Sequence, residues 1–130
     1  MLWLRYTTVL VHDCDEALAF YAGVLGYEVV DERDGGTAGT VRLTPHDGGG
    51  AGLLLMRAGD ANERIRVGSQ AGGRSLLRAE TDDLAREHAR LVARGVRFVE
   101  APRDDERGRI AVFEDPYGNR IDLVEPARTC

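Results

Sequence analysis

The sequence predicts an α+β protein made of two copies of one strand–helix–strand–strand–strand module. Three observations carry this. An aspartate-capped helical segment closed by glycine occurs twice at equal spacing, from Asp13 to Gly26 and from Asp82 to Gly95. Each is followed by a matching exit strand, Tyr27-Glu28-Val29-Val30 in the first copy and Val96-Arg97-Phe98-Val99 in the second. The last strands flank Asp115-Pro116-Tyr117-Gly118, where proline presets the second turn position and glycine relieves the fourth.

The elements follow in order. Leu4 to Val11 is rich in Thr, Val and Leu and reads as a strand. Asp13 or Asp15 then offers a helix cap, and Glu16 lies in the first turn, where the helix dipole favours an acid. Ala17, Leu18, Phe20, Tyr21, Val24 and Leu25 recur at helical spacing and give one apolar face. Tyr27 to Arg33, Gly39 to Thr44 and Ala51 to Arg57 complete the first set of strands. The turn before the last of them holds Pro45 and Gly48 to Gly50. Ala58 to Gly73 has little periodicity and reads as a linker with partial lid character. Arg74 to Glu80 opens the second copy, Thr81, Asp82 and Asp83 supply the cap, and Leu84 to Arg94 forms the helix. Val96 to Glu100, Arg109 to Glu114 and Asn119 to Glu125 are its remaining strands.

Composition narrows the function. The 130 residues suit one domain, with 43% hydrophobic and 30% charged residues. No apolar run approaches the roughly 20 residues of a membrane span. The first eleven residues lack the pattern of a signal peptide, so the expected home is cytoplasmic. Net charge is −5 with both signs interspersed, which argues against nucleic acid. All 17 basic residues are Arg, so no lysine can form a Schiff base. Cys14 and Cys130 form no metal spacing and read as two unpaired thiols. Gly48-Gly49-Gly50 lacks the Lys-Ser/Thr of a phosphate loop.

At this point the residues resemble a known family. Val11-His12-Asp13-Cys14-Asp15-Glu16-Ala17-Leu18-Ala19-Phe20-Tyr21 with Leu25-Gly26-Tyr27-Glu28-Val29 looks like the first-module signature of the vicinal-oxygen-chelate superfamily. That superfamily holds the glyoxalases, bleomycin-resistance proteins and extradiol dioxygenases. Thr81-Asp82-Asp83-Leu84, Ala93-Arg94-Gly95-Val96-Arg97-Phe98, Ala101-Pro102 and Phe113 to Leu123 look like the second. The resemblance implies one domain, with module one at 1–57, a linker at 58–73 and module two at 74–126. It implies a curled eight-stranded mixed sheet around a cavity, helices outside, and a homodimer.

The enzymes of this family hold a divalent metal with His and Glu from the outer strands of each module. Here the first such position is Tyr6. The second falls among Leu55, Met56 and Arg57, the third on Ser75 or Leu76, and the fourth on Asp122. One plausible ligand in four positions is too few for a metal centre, so no metal or other cofactor is expected. His12, His46 and His88 suggest no common point and read as surface or helix-packing residues.

Alternation on the last strand places Ile121 and Leu123 under a helix and Arg120, Asp122 and Val124 on the other face. The resemblance turns that face towards the cavity. Arg78 and Glu80, and Arg42, are expected to do the same. The candidate ligand-binding residues are therefore Tyr6, Arg42, Met56, Arg78, Arg120 and Asp122. Trp3, Tyr6, Tyr27 and Tyr117 are available for stacking, since Phe20 and Tyr21 belong to helix core. The first expectation is a metal-free protein that sequesters a small organic molecule, such as an antibiotic or toxic metabolite, and an aromatic, acidic surface suits a cationic one. The alternative is a lyase or isomerase acting next to a carbonyl, with Asp122 as general base and Arg78 or Arg120 steadying an enolate. A rearranged metal site built from Asp122, His12 or His46, and Glu80 ranks last.

Overall fold

The computed structural model describes residues 1–31, 39–47 and 49–127. The chain divides into two compact units, Met1–Gln70 and Ala71–Cys130. The first holds strands β1 (Tyr6–Val11), β2 (Glu28–Asp31), β3 (Thr40–Thr44) and β4 (Gly52–Arg57), with helices α1 (Cys14–Tyr21) and α2 (Ala61–Arg66). The second holds β5 (Ser75–Glu80), helix α3 (Leu84–Ala93), β6 (Phe98–Asp105), β7 (Gly108–Glu114) and β8 (Arg120–Pro126). The α+β class is borne out, and the eight strands form two four-stranded mixed sheets. Their orders are β1-β4-β3-β2 and β5-β8-β7-β6. In each, the first strand runs parallel to the last of its module and the other pairs are antiparallel. The repeat is thus a repeat of topology.

Each long helix starts at a side-chain cap. Asp13 accepts a hydrogen bond from the Glu16 N–H at 3.1 Å, and Asp83 from the Arg86 N–H at 3.0 Å. The second cap is therefore Asp83, one residue later than the equal-spacing alignment on Asp82 implies. Two bonds set that start: the Thr81 hydroxyl oxygen accepts from the Asp83 N–H at 3.1 Å, and the Glu125 carboxylate from the Leu84 N–H at 2.8 Å. The closing glycines agree, with φ of +88° at Gly26 and +83° at Gly95, values that suit a residue without Cβ. Helix α1 ends earlier than its apolar pattern, and Val24 and Leu25 continue in turns bonded back to Phe20.

Helix α1 packs on β4, and α3 packs on β6, β7 and β8. Strand alternation supplies the matching faces. In the first unit Val9, Val11, Val41, Leu43, Leu53 and Leu55 are buried with Ala17, Phe20 and Tyr21 of α1. Phe20 and Tyr21 meet edge to face with centroids 5.0 Å apart, so both are core, as their spacing suggested. In the second unit Leu84 and Leu91 are buried, as are Ala111, Phe113, Ile121 and Leu123. Phe98 links Phe113, at 5.5 Å, to the His88 ring, at 4.5 Å.

Strand β6 runs five residues further than Glu100. Proline and irregular pairing hid it: the register shifts twice, between Phe98 and Glu100 and between Glu100 and Arg103. Pro102 lies in the second irregularity of an edge strand, where its missing N–H breaks no ladder bond. The expected end of the second strand at Arg33, Gly48 in the following turn, and Cys130 lie outside the described residues.

The stretch from Ala58 to Gly73 is more structured than its composition suggests, because it contains α2. Asp60 accepts from the Glu63 N–H at 2.8 Å, and Glu63 accepts from the Gly59 N–H at 2.7 Å. This is close to a capping box, written in the sequence as Asp60-Ala61-Asn62-Glu63. Beyond the helix, Gln70 reaches back to the free edge of β1. Its Oε1 accepts from the Leu10 N–H at 2.6 Å, and its Nε2 donates to the Thr8 carbonyl at 3.2 Å. One carboxamide bonding both sides of Val9 imitates a residue of a neighbouring parallel strand and blunts the open edge. Gln70→Ala is expected to speed amide exchange at Leu10 by about tenfold and to cost roughly 1 kcal/mol. Exchange mass spectrometry and urea melts check both.

Candidate functional site

The face of each sheet opposite its long helix collects the candidate residues. In the first unit, register sets Tyr6 beside Gly52, Thr8 beside Leu54, and Leu10 beside Met56. On the other side of β4, Arg42 lies beside Leu54 and Thr40 beside Met56. Leu53 and Leu55 point to the helix, so Leu54 and Met56 share the opposite face with Tyr6 and Arg42. Three of the expected residues therefore share one sheet face, with Tyr6 beside the start of β4, Arg42 beside its middle and Met56 near its end. All three are partly buried, and so is Leu54, which the sequence reading did not single out. Strand period two, anchored on the buried Leu53, was the signal that could have found it.

Gly52 makes room for this surface. A Cβ there would lie 2.9 Å from Cδ1 and Cε1 of Tyr6 and 2.3 Å from the Leu43 carbonyl oxygen. The Tyr6 ring therefore lies over the bare glycine backbone, a flat aromatic seat beside Leu54. Gly52→Ala is expected to lift the Tyr6 ring and destabilise the fold by on the order of 2 kcal/mol, as overpacking does. Tyrosine fluorescence and thermal melts report the two effects.

In the second unit the polar group of interest is Asp122 on β8. Its neighbours in the register are Arg78 on β5 and Val112 on β7. The residue is 8% exposed. The Ser75 hydroxyl donates to Oδ1 at 2.5 Å, and Nη2 of Arg78 lies 3.1 Å from Oδ2. Each carboxylate oxygen is thus engaged by a donor, and the cost of burying the charge is offset by pairing. The Arg78 side chain remains 46% exposed. Arg120 is exposed and stands between Ser75 and Glu114 in the register. Ile121 and Leu123 are buried on the alternate face as expected.

Ser75 was weighed only as a missing metal ligand, and its bond to Asp122 was not legible. Counting seven residues back from the Asp83 cap gives Leu76. A bulge between Ser75 and Leu77 shifts the register, and Ser75 is the residue whose side chain reaches Asp122.

The three histidines lie apart in role. His12 is exposed after β1. His46 is exposed, with its Nδ1 2.6 Å from Oε1 of Glu28. His88 packs on Phe98. Among the described residues no three His, Cys, Asp or Glu side chains gather as a metal-binding group. Of the other aromatics, Trp3 is exposed, Tyr117 belongs to the Asp115–Gly118 turn, and the Tyr27 hydroxyl approaches the Ala51 carbonyl at 3.5 Å. Burial raises the Tyr27 hydroxyl above the usual tyrosine range. Cys14 is a free thiol, also raised, first by burial.

The Asp115-Pro116-Tyr117-Gly118-Asn119 stretch, part of the family signature, does structural work. Asp115 accepts from the Tyr117 and Asn119 N–H groups, each at 2.9 Å, and from the Asn119 side-chain amide at 2.8 Å. Asp115 and Asn119 are both buried. No helix among the described residues is long and apolar enough to cross a membrane.

Comparison with known proteins points the same way. The model of the Glyoxalase/Bleomycin resistance protein/Dioxygenase superfamily matches residues 3–123. An uncharacterized protein of Shewanella frigidimarina is 35% identical over 92% of this chain and 90% of its own. TnmS3, an antibiotic binding protein from Streptomyces sp. CB03234, has a similar crystal structure, with a TM-score of 0.81 and 29% identity over 98% of each chain. The crystal structure of UcmS2 gives a TM-score of 0.83 and 27% identity over 96% of this chain and 98% of that one.

Proposed function

Because this chain belongs to the Glyoxalase/Bleomycin resistance protein/Dioxygenase superfamily, we propose that it binds a small organic molecule, without a resident metal and without turning it over. The observation that carries the reading is the state of Asp122. The enzymes of the family need a metal-binding set, and here the four corresponding positions offer a tyrosine, an apolar or basic residue, a serine or leucine, and one carboxylate. That carboxylate is ion-paired to Arg78, whose guanidinium repels a divalent cation, and its second oxygen is taken by Ser75. The donor set does not fit a divalent ion.

The same pairing weighs against Asp122 as a general base. A base must present a lone pair to the substrate, and both Asp122 oxygens are already engaged, one by Ser75 and one by Arg78. What remains is a partly buried aromatic and apolar surface with few polar groups, around Tyr6, Arg42, Leu54 and Met56. That is the character of a recognition site. The similarity to an antibiotic binding protein supports the same class of ligand. A second copy of the chain as partner and a cytoplasmic setting belong to this proposal.

The test is a thermal-shift screen of aromatic antibiotics and polycyclic metabolites, followed by calorimetry and product analysis of each hit. Stoichiometric binding with the compound recovered unchanged is the expected result. A ligand at 100 times its Kd should stabilise the protein by about 2.7 kcal/mol. Conversion of a bound compound, lost in Asp122→Asn, would favour the lyase or isomerase reading instead.

A further inference from the structure

Resting on the small-molecule reading, we propose that Arg78 is a ligand-contacting residue on the second unit's own sheet face and that it selects an oxygen acceptor, a carbonyl or carboxylate, on a molecule bound there. Asp122 and Ser75 are its positioning residues.

The argument starts from what a ligand can reach. Asp122 is the more buried partner, with its side chain 12% exposed against 46% for Arg78. Both carboxylate oxygens already accept, one from Ser75 and one from Arg78. A molecule approaching this pair therefore meets the guanidinium before the carboxylate. A guanidinium has five N–H donors and no acceptor, and the ion pair with Asp122 runs through Nη2 alone. Donors remain to face outward, and only an acceptor atom can answer them. The buried carboxylate, itself fixed by Ser75, holds the guanidinium plane in place before binding, which lowers the ordering cost on association.

The neighbouring charges sharpen the chemistry. Arg120 on β8 is the register partner of Glu114 on β7, and Glu80 stands two residues beyond Arg78 on β5. Acids and bases on this face are nearly balanced, so net charge gives little attraction to either sign. Discrimination then falls to hydrogen bonding at Arg78. The sequence alone, through its net charge of −5, pointed to a cationic ligand; the local geometry points to an acceptor-bearing one.

Two probes of equal aromatic bulk test this, 2-naphthoate and 2-naphthylmethylammonium, titrated by calorimetry against the intact chain. Naphthoate is expected to bind at least tenfold tighter. Arg78→Gln should weaken naphthoate by tenfold or more and leave the ammonium probe within twofold. Arg78→Lys should lie between, since it keeps the charge and loses the planar fork. Asp122→Asn keeps an acceptor for Ser75 and frees the guanidinium, and should weaken naphthoate by several-fold with the fold intact by circular dichroism. Equal binding of the two probes, or an unchanged preference in folded Arg78→Gln, would overturn the Arg78 assignment and leave the small-molecule reading standing. So would screen hits with no binding of either probe. Failure of both probes and of the whole antibiotic screen would overturn the reading itself, and this assignment with it.

Discussion

Replacing Phe113 by alanine is expected to cost about 4 kcal/mol, the largest single effect in the second unit. Phe113 is almost fully buried on β7, on the face covered by α3. Its ring meets Phe98, which in turn meets His88 of the helix. Truncation removes apolar burial and leaves a cavity that β7 cannot close, since it is bonded to β6 and β8 on its two sides. Phe113→Leu should recover more than half of the loss, because it refills most of the volume. Urea unfolding curves with a constant slope would check both values; a loss under 1 kcal/mol for the alanine variant would contradict this account of the core.

Asp115→Ala should follow, at about 3 kcal/mol. The Asp115 carboxylate is a central acceptor of the β7–β8 turn. It takes two backbone N–H groups and the Asn119 side-chain amide. The Asn119 amide and its N–H are buried, so without the carboxylate they lose partners where water cannot easily replace them. Asp115→Asn keeps one acceptor oxygen but turns a second amide donor towards the Asn119 amide, and should lose about half as much. The ligand-binding constants of both variants should stay near those of the parent protein when folded. The motif that identifies the family is thus a fold element, and its presence says nothing about catalysis.

Much of this was legible in the sequence because local chemistry dictates it. Aspartate caps, glycine stops and the proline–glycine turn are decided within four or five residues. So is the burial of Phe20 and Tyr21, which follows from helical spacing. The misreadings share one cause, which is dependence on partners distant in sequence. Asp83 wins over Asp82 as the cap because Glu125, 41 residues from Leu84, bonds the first helical N–H. Ser75 meets Asp122 because a bulge shifts a parallel register by one residue. Leu54 went unnamed, and it shares a face with Tyr6 because the sheet order brings β1 against β4. Helix α2 was legible in its capping pattern but carries no buried residue, so no apolar periodicity announced it.

The candidate residues fared by the same rule. Alternation alone placed Asp122 away from Ile121 and Leu123, and it does lie on that side. Its hydrogen-bonded state could not be read without knowing which strand lies beside it. That state is the observation on which the binding proposal rests.

The most direct test is calorimetry of a screened ligand before and after exhaustive chelation, with elemental analysis of the same samples. The account predicts less than 0.1 divalent ion per chain (on the order of background), the same affinity after chelation, and no gain on adding Zn, Mn, Ni or Fe(II). One tightly held divalent ion per chain, with ligand affinity lost on its removal and restored on its return, would contradict it.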